Sequence, residues 1–145
     1  MPLATRDYRA LADLRYQLRR FLSFSEAAAR GAGLEPQQHQ LLLAVKGLPA
    51  GTSATVGALA ERLQLHHHSA VELIDRMEVR RLVRRVRAGV DRRRVLVELT
   101  PRAERALARL SAAHRRALRS IAPGLRETLD ALLPPRNGKR RRAGQ

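Results

Sequence analysis

The hydrophobic period of this 145-residue chain changes at Leu82, and that change limits the folds open to it. Up to Met77 apolar residues recur at three- and four-residue steps, the period of amphipathic helices. From Leu82 the pattern is that of strands. Leu82-Val83-Arg84-Arg85-Val86-Arg87 reads as one, and Ala88-Gly89-Val90-Asp91 is turn material. Over Arg92–Leu99, Val95, Val97 and Leu99 alternate with Arg94, Leu96 and Glu98, which predicts a second strand and so a β-hairpin. The helical period then returns. A chain of this pattern folds as helices interrupted by one hairpin.

The helices have legible ends. Tyr8, Leu11, Leu14, Leu18, Phe21 and Leu22 predict a long helix over 6–30, stopped by Gly31 and Gly33. Pro36 suits the first turn of a second helix, and Gly47, Pro49 and Gly51 break it. Thr55 is an expected N-cap for a short third helix with Val56, Leu59, Ala60 and Leu63 inward. A fourth, over about 67–80, turns Ala70, Leu73, Ile74 and Met77 inward. Thr100-Pro101 opens a helix to about 122, where Pro123-Gly124 predicts a break before a last short helix over Leu125–Leu133. Residues 134–145 carry basic residues and no apolar pattern, as a flexible tail would. A short helix, a tight turn and a longer helix followed by a hairpin is the order of a winged helix-turn-helix.

Charge narrows the function. Lys plus Arg number 29 against 13 Asp plus Glu, a formal net charge of +16, which calls for a polyanionic partner. Only Lys46 and Lys139 are lysines. Nine arginines and two acids lie between Arg80 and Arg102, centred on the hairpin. Phosphate contact is the economical use of so many. The aromatic fraction of 3%, with no Trp, argues against a single-strand binder built on stacking. The absence of cysteine excludes a disulfide scaffold, a thiolate zinc site and a thiol switch. No apolar run approaches a membrane span, and the N-terminus lacks a signal-peptide pattern. A cytoplasmic, nucleoid-associated protein with no membrane partner is expected. His66-His67-His68 are consecutive on a helix and point apart, so no metal or other cofactor is expected there. No nucleophile with a paired acid and no Gly-rich phosphate loop stands out, so an enzyme is not expected.

Three segments carry a family resemblance: Thr55–Leu63, Ser69–Glu78 and Asp91–Pro101. The last holds a D-x-R at 91–93 followed by Leu99-Thr100. Together they resemble the MarR family of bacterial winged helix-turn-helix transcriptional regulators over residues 8–133. The resemblance implies a mainly α (α+β) fold in a single domain, 1–133. Its winged helix would cover 36–100, with N- and C-terminal dimerisation helices over 6–30 and 101–133. It implies a homodimer that reads a pseudo-palindromic site on double-stranded DNA, as a repressor responsive to a small-molecule effector of unknown identity. The terminal helices themselves call for a partner, because their apolar stripes exceed what a winged helix of about 50 residues can bury.

By the same resemblance Arg93 is the wing-tip arginine that enters the minor groove, and Asp91 orients it. Arg92 and Arg94, with Arg84, are expected on phosphates. His67, His68, Ser69 and Glu72 occupy the half of the recognition helix that enters the major groove. Arg76 matches a position that contacts the DNA backbone. Two departures stand out: Arg81 occupies the place after the recognition helix where the family carries Gly, and the last helix, of about ten residues over Leu125–Leu133, is short for the family's dimer interface. The alternative function is a non-specific basic architectural or RNA-binding protein using the same arginines.

Overall fold

The computed structural model describes residues 2–87, 89–90 and 93–133. Among the described residues five helices and two strands follow in order: α1 (Thr5–Gly31), α2 (Pro36–Lys46), α3 (Val56–Leu63), α4 (His67–Val79), β1 (Val83–Arg87), β2 (Val95–Leu99) and α5 (Pro101–Leu132). The fold is mostly helical with a two-stranded antiparallel sheet, the winged helix-turn-helix class that the sequence predicts. The chain divides into two compact units. Of the described residues, one unit takes Phe24–Arg115 and the other those up to Ser23 and those of α5 from Arg116.

Within Phe24–Arg115 the helix-turn-helix forms for local reasons. The Thr55 hydroxyl accepts from the Ala58 amide at 3.2 Å, capping α3. The helix ends on Gln64 at φ +53, with Leu65 N–H donating to Ala60 C=O and Gln64 N–H to Glu61 C=O. That pair of bonds is a Schellman motif, and it makes the tight turn into α4. The inward face of α4 is Ala70, Leu73, Ile74 and Met77, all buried. At roughly 1.5–3 kcal/mol per large buried side chain, this face fastens α4 onto Leu41, Leu42, Leu59, Leu82 and Val97 in the same core.

The end of α4 answers the question that Arg81 raises. Arg81 takes the left-handed conformation, φ +56. Its N–H donates to Glu78 C=O and the Leu82 N–H to Met77 C=O, both at 2.9 Å. This is a second Schellman motif, with buried Leu82 and Met77 as its hydrophobic closure. The helix therefore ends as a Gly would end it, at the steric cost of a Cβ.

The hairpin pairs Val83 with Leu99, Arg84 with Glu98, Arg85 with Val97, Val86 with Leu96 and Arg87 with Val95. Strand β2 is shorter than expected: Arg93 and Arg94 precede it, and Arg92, Asp91 and Ala88 lie outside the described residues, as do 134–145. Thr100 then ties the hairpin to α5. Its hydroxyl donates to Arg81 C=O at 2.8 Å and accepts from the Ala103 amide at 3.3 Å.

The expected break at Pro123-Gly124 does not occur; α5 is continuous for 32 residues with Pro123 inside. A proline removes one N–H from the ladder and crowds the carbonyl four residues back. Both Pro123 and Arg119 are exposed, so water can satisfy the carbonyl that loses its partner. Gly124 serves a close approach rather than a break: a Cβ there would lie 2.9 Å from Gln17 Nε2 of α1. Thr128, buried in the same unit, donates to Asp13 Oδ2 at 3.3 Å and to Gly124 C=O at 2.9 Å.

His39 and His114 meet inside Phe24–Arg115, with ring centroids 4.9 Å apart. His114 Nδ1 donates to Leu110 C=O at 2.6 Å, which leaves Nε2 to accept from the Ser25 hydroxyl at 2.8 Å. His39 is buried. Burial, and secondarily His114, push its pKa below the ordinary histidine value. The unfolded chain then takes up a proton that the native state resists. Stability is expected to be unaffected by this group above about pH 6.5 and to fall as the pH drops below it, by at most about 1.4 kcal/mol per pH unit. Urea melts of the parent and His39→Leu at pH 5–8 check this. The variant should lose that part of the acid slope, and identical slopes would contradict it.

Candidate nucleic-acid interface

Helix α4 starts at His67 behind His66, which has extended backbone angles. His67 and His68 are exposed, Ser69 is half-buried, and Glu72 and Arg76 are exposed one and two turns on. These are the residues the sequence assigns to recognition, and α4 places them away from its buried stripe. The rings of His66 and His68 stack nearly parallel, 5.7 Å apart. Parallel stacked rings do not converge their nitrogens on one point. Among the described residues, no three His, Cys, Asp or Glu side chains come together in a way that would hold a metal. Arg76 borders a depression of about 380 Å³ with Leu73 and the start of α2, Glu35 to Gln38.

The hairpin arginines divide by strand geometry. Residues paired across an antiparallel ladder share a face. Val83, Arg85 and Arg87 therefore share the inner face with Leu99, Val97 and Val95, while Arg84 and Glu98 share the outer one. Arg84 lies 3.4 Å from Glu98 and is largely exposed, an ion pair that surface solvation leaves weak. Its expected role on phosphate is compatible with that placement. Arg85 is turned inward, its side chain only 27% exposed, and it meets two carboxylates of α4. Its Nη2 lies 2.7 Å from Asp75 Oδ1 and its Nη1 3.1 Å from Glu78 Oε1. The Arg85 backbone N–H donates to Glu78 Oε2 at 3.0 Å, so the same carboxylate also satisfies the outer edge of β1.

Arg80 is likewise held. Its Nη1 donates to Gln38 Oε1 and its Nη2 to Gly33 C=O, both at 2.6 Å. Gln38 is buried and its Oε1 also accepts from the Glu35 amide, so one side chain caps the start of α2 and receives the arginine that follows α4. Arg102 reaches back to Arg80 C=O at 3.3 Å. Beyond the last ladder pair, Arg87 with Val95, lies the hairpin tip. Gly89 there takes φ +77, and Val90 is fully exposed. Arg93 and Arg94 are exposed between that tip and β2. The expected orientation of Arg93 by Asp91, and the phosphate role of Arg92, fall on residues outside the described set.

Sequence reasoning did not find the inward roles of Arg80 and Arg85. A signal for Arg85 is present: it occupies an inner-face position of its strand, between Val83 and Arg87. A charge on that face needs a partner, and only the register identifies one.

The MarR family model matches residues 32–94. No curated protein matches the chain. Solved structures do. A MarR family protein from Bacillus stearothermophilus is 24% identical, with a TM-score of 0.69 over 83% of this chain and 82% of its own. AbsC, a MarR family regulator from Streptomyces coelicolor, is 21% identical, with a TM-score of 0.64 over 93% of this chain and 86% of its own. The regulator MosR of M. tuberculosis, solved in complex with DNA, is 24% identical, with a TM-score of 0.57 over 81% and 89%. The family model thus covers the helix-turn-helix and the first part of the hairpin, and the fold of solved MarR family structures extends across more than four fifths of this chain.

Proposed function

We propose that the chain is a homodimeric, sequence-specific reader of double-stranded DNA that represses transcription. The observation that carries this is the pairing, on one compact unit, of a recognition helix with a polar exposed start and a hairpin that keeps Arg93 and Arg94 exposed near its tip. His67, His68, Ser69 and Glu72 face base edges in the major groove, and Arg76 and Arg84 hold phosphates. Arg92 and Arg94 flank Arg93 on phosphates. Arg93 enters the adjacent minor groove, oriented by Asp91, where a narrow A·T-rich tract attracts a guanidinium. The MosR complex with DNA supports this reading by its fold.

Dimerisation follows from unburied apolar surface. Tyr8, Leu11, Leu18, Leu22, Leu118 and Leu129 remain exposed on α1 and α5. A contiguous stripe of that kind calls for a partner, and a second copy is the economical one. Two copies would present two recognition helices to half-sites about one helical turn apart. A small molecule that changes their spacing would weaken the repressor's hold; no residue is assigned to it. No helix among the described residues is long and apolar enough to cross a membrane, and we place the protein with the nucleoid. The reading is a DNA-binding regulator and not an enzyme.

Selection of bound duplexes from a random pool at about 150 mM salt, where non-specific binding is weakened, tests the proposal. An enriched palindrome supports it. A featureless pool bound with steep salt dependence would favour a non-specific architectural protein. His68→Ala is expected to change base preference at one or two positions of the selected site, as the same selection would read; an unchanged preference with uniformly weaker binding would reduce His68 to a phosphate contact.

A further inference from the structure

We infer that Arg85 is a positioning residue for DNA binding: through Asp75 and Glu78 it locks the hairpin to the recognition helix, so that the two engage DNA as one rigid reader. The inference rests on the proposed use of the hairpin on DNA.

Three observations support it. First, Arg85 is held by two side chains of the same helix, one turn apart, and by its own backbone N–H on Glu78. Three bonds from two directions fix both the position and the rotation of β1 against α4. A single ion pair would leave the strand free to pivot. Second, the guanidinium is planar and offers a fork of donors that one plane of carboxylates can satisfy. Third, Asp75 lies one turn beyond Glu72, and Glu78 one turn beyond Asp75, on the helix that presents His67, His68 and Glu72. Two carboxylates beside a phosphate-facing surface repel DNA on charge alone. Their presence on α4 is economical if they act on Arg85.

That repulsion gives the inference a test with opposite signs. Replacing Arg85 itself does not discriminate, because it exposes two carboxylates to DNA and weakens binding under either reading. The double variant Asp75→Asn/Glu78→Gln discriminates. It makes the protein more positive by two charges. If the acids matter only as charge, it binds DNA more tightly. If they hold Arg85, it binds more weakly although it is more positive.

The experiment uses the full chain and a duplex enriched by the selection above. Affinity is measured by fluorescence anisotropy at about 150 mM salt, and groove contacts by hydroxyl-radical footprinting. Thermal melts set a temperature at which every variant is folded. The expected result for the double variant is about a tenfold loss of affinity, equivalent to about 1.4 kcal/mol. Protection of the minor groove flanking each half-site should fade while the major-groove contacts of α4 persist. Equal or tighter binding with an intact footprint overturns the inference. Arg93→Ala serves as the control. If it loses flanking protection and the double variant does not, the positioning role of Arg85 fails alone. If Arg93→Ala keeps both affinity and footprint, the hairpin does not touch DNA, and the inference falls together with the reading beneath it.

Discussion

A chain carrying Leu22→Glu and Leu118→Glu is expected to be monomeric, and to bind its selected DNA site roughly 10²–10⁴-fold more weakly than the parent, the range lost when a second linked binding event is removed. Leu22 and Leu118 are exposed within the single chain, at 51% and 38%, so the substitutions remove little of its own core. A carboxylate at each position would have to be desolvated in a dimer interface, a cost of several kcal/mol for an unpaired charge. The winged helix of Phe24–Arg115 has its own core, Leu41 to Leu110, and should keep its fold. Sedimentation velocity reads the oligomeric state and amide exchange reads the core. A dimer that survives both substitutions would mean that the stripe on α1 and α5 is covered by something other than a second copy.

Arg93→Ala is expected to cost about 1–3 kcal/mol in binding to the selected duplex, and to lower the salt slope by about one. The residue is exposed near the hairpin tip, where an inserted guanidinium meets phosphates on both sides of a narrow groove. Arg93→Lys should recover part of the loss, because Lys restores the charge but not the planar fork. Substitution should leave thermal stability within about 0.5 kcal/mol, as at other exposed positions. Anisotropy titrations at three salt concentrations separate the terms. Unchanged affinity in Arg93→Ala would remove the hairpin from the mechanism and leave α4 as the only reader.

What was legible in the sequence was the part fixed locally. Pro36 at a first helical turn, Thr55 and Thr100 as caps, and the alternation of Val95, Val97 and Leu99 all act within a few residues of where they stand. The inward face of α4 was legible too, because Ala70, Leu73, Ile74 and Met77 repeat at the helical period. What depends on partners distant in sequence was not legible. Pro123-Gly124 reads as a break, yet α5 runs through it: Pro123 is solvent-facing, and Gly124 lets Gln17 of α1 approach closely. Arg80 and Arg85 look like further members of a basic cluster. Only the register of β1 and the placement of Asp75, Glu78 and Gln38 turn them inward. Arg81 lies between the two cases. The family resemblance marks the position as one that carries Gly, and the bonds made by Arg81 and Leu82 close the helix end with a larger residue in place.

The central claim is specific recognition of DNA by two copies of the chain, and the ratio of specific to non-specific binding tests it most directly. The selected duplex and a scrambled duplex of the same composition would each be titrated at about 150 mM salt, with stoichiometry read at saturation. The account predicts binding to the selected duplex roughly 10³-fold or more tighter than to the scrambled one, the range of specific protein–DNA complexes, with two chains per duplex. A ratio near one, with a steep loss of both affinities as salt rises, would contradict it: the arginines would then neutralise phosphate without reading sequence.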